Sequence, residues 1–564
     1  SLYDPNGSFQ SINRRYDIVY GDVMLNFNYN INRFDIAATV GWTGRYENMN
    51  NMRVSTNGGL VTENWFDLNA SRYTPSSTLQ RMELLKTGYM GTLSLGWDNY
   101  LFLELTGRQE RSSTLKDQSF FYPSANLSFL FTQAFHMPSW WNYGKLRLSY
   151  GIVGNAPETY TANIVYEQGS DNGFTWNTIP SSWGNADIRP EKKYEYEIGL
   201  ESKFLNNRLG IDVSYYNNRV KDQILSTPQP STSGVKNVLM NVGEVANHGW
   251  DISISATPIL TRDFRWDLTA NYGVYKNKVV KLADGVPYLE ILNSGGSGIK
   301  IQAVEGQPMG DIYAQVPQVN ENGEYLVSDK GLYLNQTELQ KVGNINPAGV
   351  GGLFNSFSYK NVFLDFSIDF RIGGDVINEM NQYATAVGLT PESLKYRDTE
   401  HGGLSYYYPG DNNSSGIPVQ VDPSTGAGPN GEIIYHDGII LPGVVASTGE
   451  RNTRIIPAGY YYNTTYNWGT EAEQLTYRHS VFDNSYVKLR ELTIGYQFPE
   501  KMISKLGLGR LSVSVFGRNL FYFYKALKNY DAESSVGTSW ANQATVGSST
   551  TATRSFGVSL RASF

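Results

Sequence analysis

Apolar and polar side chains alternate one by one along much of the chain. In residues 264–274, Phe, Trp, Leu, Ala, Tyr and Val alternate with Arg, Asp, Thr, Asn and Gly, and residues 364–370 show the same pattern. A β-strand places successive side chains on opposite faces, so strict alternation indicates a sheet whose two faces meet different environments. The sequence therefore predicts strands with one apolar face and one polar face.

About sixteen segments follow this pattern, close to the template of roughly 10 alternating residues for outer-membrane strands. Soluble strands average only about 5–6 residues. A single segment of this kind would fit a soluble β-sandwich better, but the length of the segments together favours an all-β fold, a transmembrane antiparallel β-barrel. The chain stops on Phe564, as the last strand of an outer-membrane barrel commonly does. The predicted strands lie near 17–30, 33–45, 61–73, 82–97, 100–112, 118–132, 143–153, 192–204, 208–221, 247–257, 263–280, 352–360, 361–373, 478–498, 509–523 and 553–564.

The spacers between the predicted strands have two lengths. Asn30–Asn32 and Leu205–Asn207 are tight turns, whose Asn residues tolerate turn geometry. Short turns at one end and long loops at the other are typical of outer-membrane barrels, and loops of this length are usually functional. We therefore predict long extracellular loops near 154–191, 222–246, 281–351, 374–477 and 524–552.

Composition supports this picture and excludes other classes of protein. The 564 residues include 76 aromatic ones, or 13%, and Trp97, Tyr100, Trp140 and Trp141 lie near strand ends, as an interfacial girdle requires. Mean hydropathy is −0.38, and no stretch approaches the roughly 18 uncharged apolar residues of a membrane helix. The chain has no Cys and a net charge of −7, which argues against disulfides, thiolate zinc sites and nucleic acid partners.

No catalytic motif is present, so we expect no enzyme, no cofactor and no metal site. The sequence lacks a nucleophile elbow, a Walker loop and a zinc-binding His motif, and its five His are scattered. Asp365 and Asp369 fall on the polar face of one strand, where a hydrogen-bonded interior wall is the simpler explanation. Residues 411–422 partly follow a calcium loop, but Pro418 interrupts the pattern and a polar surface loop is favoured.

Six stretches of sequence carry a resemblance to a known family. The stretches are 185–201 (NADIRPE and YEIGLE), 241–251 (NVGEVANHGWD), 306–313 (GQPMGDIY), 344–375 (from NINP through GGLFNSFSYK to RIGGD), 486–496 (YVKLRELTIGY) and 517–521 (GRNLF). In order and spacing they resemble the motifs of SusC/RagA-type TonB-dependent transporters of Bacteroidetes outer membranes, from about residue 143 to the end. The first 140 residues match only as generic barrel strands.

The resemblance implies a place for this chain in a larger assembly. Residues 1–564 would form about sixteen strands of a 22-stranded barrel in the bacterial outer membrane, in contact with lipid, and the plug domain is not in this chain. We expect the N-terminal plug and barrel portion on a separate or omitted segment, because unpaired strand edges are costly in lipid. TonB would act through that portion, and a SusD-like surface lipoprotein would cap the barrel as a lid.

The 374–477 loop and the region of Trp183 hold the candidate ligand contacts. Residues 375–397 have helical spacing, with apolar side chains three and four residues apart. Aromatic rings beside Asn and Asp suit sugar recognition, so TonB-dependent import of oligosaccharides is our first hypothesis. A peptide importer and a non-transporting receptor or adhesin barrel are the alternatives, and each Tyr could instead pack loops together. The candidate substrate-binding residues are Trp183, Tyr406, Tyr407, Tyr408, Asp411, Asn412, Tyr460 and Tyr461.

Overall fold

The computed structural model describes most of the chain, which divides into two units. The first unit comprises Ser1–Asn207, Asp212–His248 and Val280–Val286, and the second comprises Arg208–Ile211, Gly249–Val279 and Pro287–Phe564. The described residues are 6–116, 119–171, 174–228, 232, 234–294, 298–410, 416–467, 476–535, 537, 539–547 and 552–564.

Long antiparallel strands make up most of the first unit. Eight of them are hydrogen-bonded neighbours in the order β1-β2-β3-β4-β5-β6-β10-β11, and β2 and β3 each reach 27 residues. One short helix, α1 (Phe131–Ala134), precedes β6. The strands are β1 (Gln10–Ile31), β2 (Phe34–Leu60), β3 (Ser71–Trp97), β4 (Leu101–Ser112), β5 (Ser119–Phe129), β6 (Trp141–Asn155), β7 (Glu167–Asp171), β8 (Phe174–Thr178), β9 (Ser182–Trp183), β10 (Glu191–Phe204), β11 (Leu209–Lys221), β12 (Ile224–Pro228) and β13 (Asn237–Asn241).

The register of these strands separates apolar from polar side chains. Residues opposite each other on adjacent strands share a face, and an apolar row crosses seven strands through Tyr29, Ile36, Leu95, Leu103, Leu127, Leu148 and Ile198. One position along each strand, the opposite face carries Asn28, Ala37, Ser94, Glu104, Asn126, Ser149 and Glu197. The apolar face stays exposed, since Tyr29 is 51% and Ile198 is 47% accessible.

Aromatic rings gather at the end of the first unit where the short turns lie. Trp97 meets Tyr100 with ring centroids 5.3 Å apart, and Trp140 stacks on both Trp141 and Phe204 at 6.0 Å. In the neighbouring turn, Leu205, Asn206 and Asn207 all have positive φ, a conformation in which Asn is favoured over most residues. The predicted tight turn at 205–207 is confirmed.

The second unit combines seven long strands with folded loops. The long strands are neighbours in the order β14-β15-β21-β22-β30-β31-β32, and the helices are α2 (Glu379–Ala386), α3 (Ala458–Tyr466) and α4 (Glu500–Ile503). The strands are β14 (Glu244–Leu260), β15 (Phe264–Lys281), β16 (Tyr288–Ser294), β17 (Ile299–Val304), β18 (Asp311–Ala314), β19 (Leu326–Val327), β20 (Gln340–Asn344), β21 (Pro347–Tyr359), β22 (Val362–Gly373), β23 (Asp375–Ile377), β24 (Leu404–Tyr407), β25 (Val419–Val421), β26 (Tyr435–Ile439), β27 (Val444–Val445), β28 (Ile456–Pro457), β29 (Val481–Asp483), β30 (Tyr486–Gln497), β31 (Arg510–Lys525) and β32 (Ser555–Ser563).

The long strands of the second unit show the same division of faces. Leu364, Ile494, Val515 and Val558 lie opposite one another on β22, β30, β31 and β32. Ile494, Val515 and Val558 are 54%, 57% and 72% exposed. An exposed apolar row of this kind is unfavourable in water and suits contact with lipid.

The loops of the second unit fold into small sheets with their own cores. A four-stranded sheet has the order β16-β17-β18-β20. Buried side chains of this sheet pack with residues of β23, the 477–481 region and the loop after β31, including Ile301, Ile312, Ile377 and Tyr477. These loops are therefore packed structures rather than open connections.

The predicted all-β, strand-dominated fold is confirmed, with two local corrections. The separate strand predicted over 61–73 is wrong, because Asp67 caps a 3₁₀ turn at Leu68–Ala70 and β3 starts only at Ser71. The strand predicted over 478–498 begins at Tyr486, after a 3₁₀ turn at Tyr477–Ser480 and the short β29. Helical structure within 375–397 is confirmed as α2, and no described helix is long and apolar enough to cross a membrane.

Candidate functional site

Tyr406 and Tyr408 lie in the interior of the folded 374–477 loop. Tyr406 is 1% exposed, and its hydroxyl donates to Asp437 Oδ1 over 3.1 Å. Its ring stacks on Tyr435 at 5.5 Å and meets Tyr408 edge to face at 5.5 Å. Burial raises the pKa of both Tyr406 and Tyr408 above the usual range. Both are therefore neutral and held by other residues of the loop.

Tyr407 lies on the opposite face of β24 and is half-buried. Nearby, the buried carboxylate of Glu432 accepts hydrogen bonds from the backbone N–H groups of Asn430 (2.9 Å) and Gly410 (3.2 Å). These bonds lower the pKa of Glu432 to about 2. Glu432 thus fixes the backbone on the N-terminal side of the predicted contacts Asp411 and Asn412, which lie outside the described residues.

Tyr460 and Tyr461 lie on α3 and are half-buried. They pack against a cluster of buried aliphatic side chains that includes Leu332 and Ile439. The adjacent Tyr462 is buried, and its hydroxyl donates to the carbonyl of Glu392 over 2.9 Å. These contacts connect α3 with the turn after α2, while part of the Tyr460 and Tyr461 rings stays accessible.

Trp183 belongs to an aromatic group in the first unit. It is half-buried and meets Tyr166 edge to face, with ring centroids 6.0 Å apart. On the nearby β7–β8 hairpin, Trp176 lies opposite Gly169, where a Cβ would come within 2.6 Å of the indole ring. Only glycine leaves room for this ring on the hairpin. Tyr166, Phe174 and Trp176 are 62%, 77% and 46% exposed.

The motif stretches 185–201 and 241–251 are joined by hydrogen bonds in the first unit. The side-chain oxygen of Asn241 accepts from the backbone N–H of Arg189 over 2.6 Å, and its amide nitrogen donates to the Arg189 carbonyl over 2.7 Å. Arg189 also pairs with Asp222 at 3.3 Å. These two bonds use both the acceptor and the donor of the Asn241 amide, a combination that no other neutral side chain of this size offers.

Motif residues form a second polar cluster in the second unit. Asn344 donates from its side chain to Asp311 (2.7 Å) and from its backbone to Asp375 (2.9 Å). Asn346 donates to the carbonyl of Met309 over 2.6 Å. Burial raises the pKa of Asp375. The motifs at 306–313 and 344–375 are thus neighbours in space, and their polar residues fix the base of the loops.

The motif at 486–496 supplies a charged cluster on the polar face of β30. Arg490 binds both carboxylate oxygens of Glu533, at 2.6 and 2.8 Å, and its Nε donates to Asp369 over 2.6 Å. Lys488 is 1% exposed and reaches the same Glu533 at 2.6 Å. Arg490 is the main cause that lowers the pKa of Glu533 to about 2. Asp369 is therefore part of a bonded interior wall, as the sequence suggested.

The sequence did not reveal a cavity of about 300 Å³ beside α2. Its wall includes Asn381 of α2, His479 of the 3₁₀ turn and Asn529 of the loop after β31. Burial lowers the pKa of His479 to about 4, so the imidazole is neutral at pH 7. These residues are distant in the chain and belong to no common motif, so the sequence carries no signal that would group them. Among the described residues, no three His, Cys, Asp or Glu side chains are grouped to hold a metal ion.

Comparisons with known proteins show which proteins this chain is similar to. The family model described as TonB dependent receptor-like, beta-barrel, matches residues 1–312. TonB-dependent receptor P3 of Formosa agariphila is 24% identical over 494 residues, which cover 80% of this chain and 42% of that protein. TonB-dependent receptor SusC of Bacteroides thetaiotaomicron is 30% identical over 247 residues, which cover 40% and 24% respectively.

A solved structure shares the fold. The structure of the RagAB peptide transporter matches with a TM-score of 0.65 and 18% identity, over 91% of this chain and 53% of the other. The chain spans less than half the length of the curated relatives named above.

Proposed function

Because the chain belongs to the TonB-dependent receptor-like β-barrel family, we propose that it is the C-terminal barrel part of an importer of oligosaccharides. The family consists of outer-membrane receptors and transporters rather than enzymes. In the proposed cycle a SusD-like surface lipoprotein closes over the outer loops as a lid. TonB supplies the energy through a plug that lies on another segment.

The observation that carries this proposal is the aromatic group around Trp183. In the first unit, Trp176 is exposed on the β7–β8 hairpin, and the exposed Glu167 and Thr178 lie opposite each other two residues away, on the same face. Aromatic rings cover the C–H face of a sugar, whereas a carboxylate accepts hydrogen bonds from its hydroxyl groups and a Thr hydroxyl both donates and accepts. The accessible parts of Tyr407, Tyr460 and Tyr461 offer the same chemistry in the second unit.

Transport by cells tests the proposal directly. We expect that deleting the gene abolishes uptake of a labelled oligosaccharide on which the parent strain grows, while uptake of labelled peptides is unchanged. Loss of TonB should have the same effect, and a surface lipoprotein should co-purify with the intact transporter. A Trp176→Ala variant should show at least fivefold slower uptake at limiting substrate, whereas Trp140→Phe at the opposite end of the strands serves as the matched control.

Two other outcomes would contradict the proposal. Loss of peptide uptake alone would identify a peptide importer, the activity named for the structurally similar RagAB transporter. Binding of the oligosaccharide at the cell surface with unchanged uptake after gene deletion would identify a non-transporting receptor or adhesin.

A further inference from the structure

The cavity beside α2 lies where five segments of the second unit meet, including the end of α3 at Tyr466. It has a volume of about 300 Å³ and is bounded by α2, the 3₁₀ turns at Pro391–Leu394 and Tyr477–Ser480, and residues 526–529. This volume is at the lower end of the range for small-molecule sites. The cavity can therefore enclose a single small ring or one unit of a longer ligand.

Asn381 presents an unused donor to this cavity. Its side chain is on a residue only 8% exposed, and its Oδ1 accepts from Asn529 Nδ2 over 3.0 Å. Within the described part of the chain, Asn381 Nδ2 donates to no acceptor, although the residue lines the cavity. Asn381 Nδ2 is not fully buried, so this donor remains accessible from the cavity. A ligand acceptor in the cavity would satisfy it.

His479 adds both a donor and an acceptor. Its ring stacks on Tyr466 with centroids 4.3 Å apart and planes at 16°, which fixes the orientation of the imidazole in the wall. A neutral imidazole has one N–H donor and one acceptor nitrogen. Neither ring nitrogen is hydrogen-bonded to another described residue.

Two charged groups complete the rim. Glu392 accepts from Asn529 Nδ2 over 3.2 Å, and its carboxylate has further acceptor capacity. Lys528, also in the lining, is a pure donor. The cavity thus offers donors and acceptors side by side, together with aromatic ring atoms of Tyr466 and Phe482.

We propose that this cavity binds one sugar residue of the transported oligosaccharide, with Asn381 and His479 hydrogen-bonded to its hydroxyl groups. Hydroxyl groups suit this lining because each one can donate to Glu392 or His479 and accept from Asn381 or Lys528. The inference rests on the proposed import of oligosaccharides and adds the site where one unit is recognised.

Binding to the intact transporter tests the proposal. The full-length protein, purified in detergent, is titrated with methyl glycosides of hexoses and pentoses and, separately, with dipeptides. We expect at least one methyl glycoside to bind. His479→Phe keeps a stacking ring but removes both nitrogens, and Asn381→Ala removes the amide donor; each should weaken binding about fivefold to tenfold. The exposed Asn322 supplies the control, and Asn322→Ala should leave the affinity unchanged.

A second measurement does not depend on how the variants fold. A methyl glycoside carrying a photoreactive diazirine should label wild-type peptides that contain residues 379–394, 476–483 or 526–529. Labelling only elsewhere, unchanged affinity in both folded variants, or binding of dipeptides but no glycoside would each overturn the proposal. Uptake by cells distinguishes failure of the proposed function from failure of the proposed site. If cells import the oligosaccharide but the cavity fails these tests, only the site is wrong.

Discussion

Glu533 shows how a single loop residue attaches a loop to the wall of strands. Its carboxylate is bonded by Arg490 and Lys488 of β30, and its side chain is 30% exposed. The pKa of Glu533 is lowered to about 2 from 4.5, which corresponds to a contribution of about 3 kcal/mol to the free energy of unfolding the loop. Partial exposure reduces this to about 2 kcal/mol. Glu533→Gln should therefore speed hydrogen exchange in residues 526–535 about 30-fold at pH 7.

The sign of the pH dependence follows from the same pKa. Between pH 4.5 and pH 2 the unfolded loop binds more protons than the folded loop. The stabilisation that Glu533 gives to the folded loop is therefore complete above pH 4.5 and is lost as the pH falls through 2. After correction for intrinsic rates, wild-type protection should fall in this range while Glu533→Gln changes little. The exposed Glu321→Gln is the matched control, and equal exchange in both variants would contradict this role of Glu533.

At the scale of single residues, the sequence indicated which segments matter but not which side chains bond to each other. The stretch 486–496 was recognisable by its residues, whereas the partner of Lys488 lies 45 positions later in a loop. Tyr406 shows the same limit, because its position in the loop says nothing about its burial against Asp437 and Tyr435. Side-chain partners depend on tertiary packing, which alternation along one strand does not encode.

The start of α2 depends on one residue, Asn378. Its buried side chain accepts from the backbone N–H of Asn381 over 3.0 Å, which satisfies one of the free donors of the first turn. Asn378→Ala should lower the free energy of unfolding of α2 by about 1 kcal/mol, and hydrogen exchange in Glu379–Ala386 should become about fivefold faster. Asn378→Ser keeps an acceptor oxygen and should retain most of the protection. Equal loss in both variants would show that packing, not capping, sets the stability of α2.

Elements differ in how far the sequence predicts them. Long strands were predictable because each repeats a two-residue period many times, as β15 does over 18 residues. The loop strands have only two to seven residues, as in β19 and β16, so they show too few repeats to be distinguished from irregular structure. Their formation depends on partners far along the chain, such as β19 with β27.

For the whole molecule, the division of the strands into two faces separates two populations of aromatic and aliphatic side chains. One population forms the exposed rows and the ring clusters at strand ends, as around Trp140, and is explained by contact with lipid and its interfaces. The other lies in the folded loops, where Tyr406 and Tyr462 are structural. Ligand recognition is therefore left to the accessible rings and to polar groups such as Asn381.

The orientation of the wall gives a prediction for insertion into the membrane. Ile494 lies on the exposed apolar face of β30, three residues before the strand ends at Gln497, between Leu364 and Val515 of the adjacent strands. An Arg on the lipid side costs about 2–4 kcal/mol of folding free energy at the bilayer midplane and about 0–1 kcal/mol near the interfaces, so Ile494→Arg should reduce the amount of folded, heat-modifiable protein in the outer membrane. Thr493→Arg puts the same charge on the opposite face, directly across from Asp365, where an ion pair is available. This variant should insert like the wild type, and equal loss of folded protein in both would show that the two faces have been assigned wrongly.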